Sequence, residues 1–244
     1  MIIKKTISVA FVLLSLVVNV SYADGLTKQQ GDAILQELQK IRLLLEKKAG
    51  SKTLPATAKV STKGALVIGN SKAPITLVEY TDYQCPYCYK FYRDTYPQLK
   101  KKYIDTGKMR LIIKDLPLSF HPHASKAAQA ARCASDQGKF LEMYDVLHRN
   151  SQKLDEKYLP QYAKEIALDI NVFNQCLGSQ RHMADIKKEM SDAGRAGISG
   201  TPTFILGKTE RDFVAGRRIV GAKSMVDFER YIQELVRSLI AANK

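Results

Sequence analysis

Residues 75–80 (ITLVEY) form an apolar run broken only by Glu79, and five residues later the chain reads Cys85-Pro86-Tyr87-Cys88. Residues 87–103 then have helical character. A buried strand that runs straight into a helix opening on a cysteine pair leaves few ways to fold. It also places the first sulfur at a helix end, where unpaired N–H groups and the positive end of the dipole favour an anion. Such a position lowers a thiol pKa from about 8.5 to roughly 3.5–7.5, and the thiolate is the species that attacks and leaves in disulfide exchange. Pro86 falls where a missing N–H costs little. Cys85 is therefore expected as the attacking sulfur and Cys88, one turn further in, as the resolving one.

The same spacing also begins structural zinc sites, which need a second pair of ligands. The chain has four cysteines and four histidines. Cys133 and Cys176 lie far apart, and His121, His123, His148 and His182 show no finger spacing. The dithiol reading is preferred, and neither a metal nor another cofactor is expected.

The first residues bear on where this chemistry would operate. Lys4 and Lys5 precede an apolar run, residues 7–20, and then Ser21-Tyr22-Ala23. That is the pattern of a secretory leader cleaved after Ala23. The alternative, an uncleaved anchor, is disfavoured because a span needs about 20 apolar residues. Cleavage would leave a chain of about 220 residues, one large domain with an appendage. Export would put the four cysteines where disulfides persist. The formal net charge is +14, yet the one basic cluster of note is Lys100-Lys101-Lys102. No nucleic-acid partner is expected, and the charge suits solubility or attraction to anionic envelope surfaces.

Within residues 24–50, a polar helix over 26–48 carries Ile34, Leu38, Ile41 and Leu45 at spacings of four, three and four. That is the seam of a short coiled coil. Leu35, Leu43 and Leu44 widen it. A helix this short needs a partner in water. Self-association as a homodimer or homotrimer is preferred to folding back, because residues 51–63 read as a polar, small-residue linker. The main domain is expected over residues 64–244. Strands are predicted at residues 65–68, 75–80, 109–114, 203–206 and 213–220. Helices are predicted at 124–135, 139–149, 156–167, 172–177, 182–193 and 223–240. Phe140, Met143, Tyr144 and Leu147 form an apolar stripe that reads as core. A βαβ half, a helical block at about residues 120–195 and a closing ββα make an α/β thioredoxin-like fold with an inserted helical domain. The His121-Pro122-His123 loop receives no role.

The Cys-Pro-Tyr-Cys segment, the helical insertion and Gly200-Thr201-Pro202-Thr203-Phe204 together resemble the DsbA-like thiol:disulfide oxidoreductases, over roughly residues 66–239. The resemblance implies a periplasmic enzyme that forms or isomerises disulfides in unfolded or misfolded exported proteins and is reset by a membrane redox partner. It implies a cis peptide bond before Pro202, against the ordinary trans alternative. Pro202 would lie against the active-site disulfide and leave the backbone of Thr201 free to pair with a substrate strand. Glu79 would lie under the active site and help move protons, the alternative being a solvent-facing side chain. Cys133 and Cys176 would form a second, structural disulfide rather than two buried thiols. Tyr87 replaces the histidine of the best-known members, which implies a less stabilised thiolate and a less oxidising disulfide. Two other classes stay open: a non-catalytic envelope chaperone, and a basic surface-associated binder.

Overall fold

A computed structural model of the chain describes residues 28–48 and 56–242. The leader read at residues 1–23 lies outside the described residues, as do positions 51–55 of the linker. The chain divides into two units, Met1–Lys52 and Thr53–Lys244. In the first, helix α1 spans Lys28–Lys48. Ile34, Leu35, Leu38 and Ile41 are all exposed along it.

The second unit is built on a six-stranded sheet: β1 (Thr57–Ser61), β2 (Leu66–Ile68), β3 (Ile75–Thr81), β4 (Met109–Asp115), β5 (Thr203–Lys208) and β6 (Phe213–Val220). Their order across the sheet is β1-β6-β5-β3-β4-β2. β3 and β4 are parallel, and the other neighbours are antiparallel. Every residue of β3 and β4 is buried, as a strand covered on both faces requires. Leu77 joins a core with Phe91 and Phe204 on one face, while Val78 and Tyr80 join Ile112 and Ile205 on the other.

The path from β3 to β4 is helical but broken. α2 (Pro86–Asp94) stops at Thr95, a short α3 (Tyr96–Leu99) follows, and a π-helical turn covers Lys100–Ile104. Pro97 has no N–H for the carbonyl four residues back, so one helix over 87–103 cannot run through it. Among the described residues six further α-helices follow: α4 (Ala124–Ser135), α5 (Phe140–Arg149), α6 (Leu159–Glu165), α7 (Ile170–Ser179), α8 (Met183–Arg195) and α9 (Met225–Ala242). α4 to α8 form the inserted block, and Phe140, Met143, Tyr144 and Leu147 are core.

A second stretch differs from its sequence reading. Residues 57–61, read as linker, form edge strand β1, paired with β6 from Thr57↔Arg217 to Ser61↔Phe213. Its backbone hydrogen bonds hold it there, for only Val60 among its side chains is fully buried.

The insertion is fastened within itself by a disulfide and to the sheet by a cluster of charges. Cys133 of α4 and Cys176 of α7 are joined by a disulfide with Cα atoms 5.8 Å apart and a sequence separation of 43. Closing a loop of that length stabilises by roughly 3–4 kcal/mol. A buried ion cluster makes the second fastening. Arg132 Nε donates to Asp115 Oδ2 at 2.6 Å and its Nη2 to Glu189 Oε2 at 2.6 Å. Lys114 Nζ lies 3.1 Å from Glu189 Oε1, and the Asp115 N–H donates to Glu189 Oε2 at 2.7 Å. Strand β4 and helices α4 and α8 are thus tied by two positive and two negative side chains, all buried.

Candidate active site

Cys85 is the N-cap of α2 and keeps an extended backbone, with Pro86 in the first helical turn. Phe91, one turn beyond Cys88, packs between Phe204 of β5 (ring centroids 4.6 Å apart) and Phe228 of α9 (5.7 Å). These rings fix the height and rotation of α2 over the sheet. Cys85 is 4% exposed and Cys88 is fully enclosed, and the two are unbridged thiols.

The chain returns to this point from the other end of the sequence. The Thr201–Pro202 peptide is cis. In its thiol form Cys85 donates from Sγ to the Thr201 carbonyl at 3.4 Å. The Thr201 hydroxyl is buried without another partner among the described residues.

The two sulfurs have opposite acidities. The Cys85 thiol is brought down from its ordinary value to about 6, chiefly by a hydrogen bond from Cys88, against the opposing effect of burial. Thr201 and the N–H groups of Cys88 and Tyr87 add to it. Those N–H groups belong to the first turn of α2, so the helix-end argument from sequence contributes, though the neighbouring thiol is the larger cause. Burial pushes Cys88 well above the ordinary thiol range, and the Cys85 sulfur adds to the rise. One sulfur is therefore the anion near neutral pH, and its neighbour holds the proton that stabilises it.

Glu79 is wholly buried on the same face of β3 as Leu77, and its charge acts on Cys88. Tyr144 Oη donates to its Oε2 at 3.2 Å, while Oε1 has no partner among the described residues. Burial raises the carboxyl to about 8. Beyond Tyr144 lies His148, also wholly buried, with its ring 4.5 Å from that of Tyr144 and stacked on Tyr92 at 4.8 Å. Neither of its nitrogens has a partner among the described residues, and burial lowers it to about 3. Sequence reasoning missed His148, because a histidine on an apolar helix face carries no local signal.

A pH-dependent result follows from these shifts. Glu79 binds its proton more tightly in the folded chain, so its stabilisation is complete below pH 4.5 and is lost as pH rises through 8. His148 acts oppositely, stabilising fully above pH 6.5 and less as pH falls toward 3. Replacing Glu79 by glutamine should therefore leave the His148 rise and remove the loss between pH 4.5 and 8. The gain over the parent should grow across that window by on the order of 3–5 kcal/mol. Urea unfolding at several pH values measures it; parallel profiles would mean that water reaches the carboxylate.

The rim of the site comes from the turn after β3 and from residues 116–123. Phe120 is 72% exposed there, and Tyr87 in the first turn of α2 is 63% exposed. Asp82, absent from the sequence reading, is buried three residues before Cys85, and His121, given no role from sequence, meets it. Among the described residues no helix is long and apolar enough to cross a membrane.

A thioredoxin family model matches residues 61–233. A Na(+)/H(+) antiporter NhaA of Salinispora tropica is 37% identical over 153 residues, covering 62% of this chain and 22% of the antiporter. A Rickettsia prowazekii protein, named provisionally as a protein-disulfide oxidoreductase, is 29% identical over 150 residues, covering 58% of this chain and 53% of that protein. The chain thus spans about a fifth and about half of the lengths of these relatives. Wolbachia pipientis alpha-DsbA1 superposes with a TM-score of 0.66 at 27% identity, covering 75% of this chain and 96% of that one. The fold also matches oxidised BdbD of Bacillus subtilis, with a TM-score of 0.62 at 21% identity over 75% of this chain and 98% of that one.

Proposed function

The chain belongs to the thioredoxin family, in its DsbA-like branch, and from that premise we propose that it is a thiol:disulfide oxidoreductase acting through Cys85 and Cys88. The observation that carries this reading is the split between the two sulfurs, one held as an anion to about pH 6 and the other kept protonated. In oxidation, a substrate thiolate attacks Cys85 of the Cys85–Cys88 disulfide and Cys88 leaves as a thiolate. In this reading the buried Glu79 carboxyl, raised to about 8 and so protonated at neutral pH, supplies the proton. A second substrate thiolate then attacks the mixed disulfide at the substrate sulfur and releases Cys85 as its thiolate. Two electrons have passed to the enzyme, which ends as the dithiol. In isomerisation, the Cys85 thiolate attacks a wrong substrate disulfide and Cys88 provides the escape. Once Cys85 is in a mixed disulfide it donates no hydrogen bond, so the Thr201 carbonyl is free to accept one from the substrate backbone.

The substrates of this reading are unfolded or misfolded exported proteins bearing cysteines, met in the periplasm after removal of the leader. A membrane partner restores the disulfide. Antiport stays with the longer relatives. The exposed Ile34, Leu35, Leu38 and Ile41 support pairing of α1 with its copies, which would set several active sites around one cleft.

The test compares the mature chain with a form beginning at Thr53, in oxidation of a dithiol peptide and in refolding of a scrambled substrate. The cut falls before β1 because that strand belongs to the sheet. Isomerisation should fall at least about tenfold in the shortened form, while oxidation stays within twofold, since the sites are linked only through the helices. Equal isomerisation by both forms would remove the assembly from the account. Failure of both forms to oxidise the peptide would sink the enzyme reading.

A further inference from the structure

Asp82 has a buried carboxylate, and all of its polar groups are used close to the cysteines. Oδ1 accepts from the Gln84 N–H at 2.8 Å, closing the turn that leads into α2. Oδ2 accepts from the Leu118 N–H at 2.8 Å and from His121 Nδ1 at 2.7 Å. A carboxylate can only accept, so the proton of this pair lies on Nδ1. The Asp82 carbonyl takes the Cys85 N–H at 3.0 Å. Its own N–H donates to Cys88 Sγ at 3.5 Å. The second tie of the loop runs from the His123 N–H to Gln84 Oε1 at 2.8 Å.

The loop of residues 116–123 is therefore buttoned to the active-site turn through Asp82, and the same residue supplies a donor to the resolving sulfur. Hydrogen bonds in series strengthen one another in a site that excludes water. Here the series runs from the Asp82 N–H to the Cys88 sulfur, and from the Cys88 S–H to the Cys85 thiolate. Three donors on the Asp82 carboxylate hold the first link in place. Without His121 the carboxylate loses its one side-chain donor among the described residues, and its charge faces the thiolate less compensated.

We propose that Asp82 and His121 form a positioning pair that holds the Asp82 N–H against Cys88, strengthens Cys88 as a donor to Cys85, and thereby sets the oxidising power of the dithiol. The proposal rests on the oxidoreductase reading and adds two residues to it. Neither touches substrate: Asp82 acts through the Cys88 sulfur and His121 acts through Asp82. The other titratable groups that bear on Cys88 among the described residues are Cys85, Glu79 and Tyr144. A substitution in the loop replaces none of these side chains.

Two substitutions separate positioning from bulk. His121→Phe keeps a ring against Phe120, whose centroid lies 4.5 Å from that of His121, and removes the donor. His121→Asn keeps a side-chain N–H near Nδ1. In the reduced full-length protein, the pH midpoint of Cys85 alkylation and the thiol–disulfide equilibrium constant against glutathione are both measured. His121→Phe should move the midpoint up by about one pH unit and make the disulfide about tenfold less oxidising, whereas His121→Asn should stay within about twofold of the parent. If His121→Phe does not fold, His121→Leu takes its place with the same upward shift expected, because it too lacks the donor and leaves the Asp82 charge as it is. A midpoint unmoved in the donor-less variant, or moved equally in His121→Asn, overturns the proposal. In either case a low parental midpoint leaves the oxidoreductase reading standing. An ordinary parental midpoint removes both.

Discussion

Replacing Cys85 by serine should lower the rate of exchange with a model disulfide by at least about a thousandfold, to the level of the solution reaction. A serine hydroxyl is not ionised near neutral pH, and no group among the described residues is placed to act as its base. The companion Cys88→Ser variant keeps the nucleophile and loses the escape, so it should accumulate a mixed disulfide at Cys85. Both variants should stay folded, since the α2 anchor is Phe91 between Phe204 and Phe228 rather than either sulfur. Mass spectrometry after mixing with a disulfide-bearing peptide reads both outcomes. A Cys85→Ser protein that exchanges at the parental rate would assign the chemistry elsewhere. The same variant also separates the enzyme from an envelope chaperone, whose suppression of aggregation would not depend on the sulfur.

Replacing Arg132 by methionine should cost the fold about 3–5 kcal/mol. Its guanidinium is the shared partner of Asp115 and Glu189, and all three are buried. Burial already pushes the Asp115 carboxyl up to about 7, with Arg132 opposing that rise. Without the guanidinium, Asp115 keeps its proton and Glu189 is left with the Lys114 ammonium and the Asp115 N–H. For a domain whose total stability is of order 5–15 kcal/mol, that is a large share. Because β4 is the parallel neighbour of β3, the damage should reach the active site as a loss of folded protein rather than as a changed thiol acidity. Urea unfolding of the parent and variant measures the difference. A loss below about 1 kcal/mol would mean that the cluster is solvated.

The parts of this molecule legible in the sequence are those written in a few neighbouring residues. The ITLVEY run, the helix start at Pro86 and the apolar stripe from Phe140 to Leu147 each carry their own period. β1 does not, because Thr57–Ser61 buries only Val60 fully and joins the sheet through its backbone. The ion cluster was equally hidden: Lys114, Arg132 and Glu189 stand on different elements, and charged residues on strands and helices ordinarily face water. Thr201 and Pro202 could be placed near Cys85 through resemblance alone, since nothing local links residues so far apart. Asp82 and His121 illustrate the remaining limit. An acid in a turn and a histidine in a loop are each unremarked until the fold sets Oδ2 2.7 Å from Nδ1.

The thiolate at the head of α2 is open to a direct check. Iodoacetamide alkylation of the reduced protein, with Cys133 and Cys176 still bridged, can be followed at Cys85 by peptide mass mapping from pH 4 to 10. The structure predicts a single rise in rate with its midpoint near pH 6 and little modification of the enclosed Cys88. A midpoint near 9, the ordinary position of a thiol, would contradict the account.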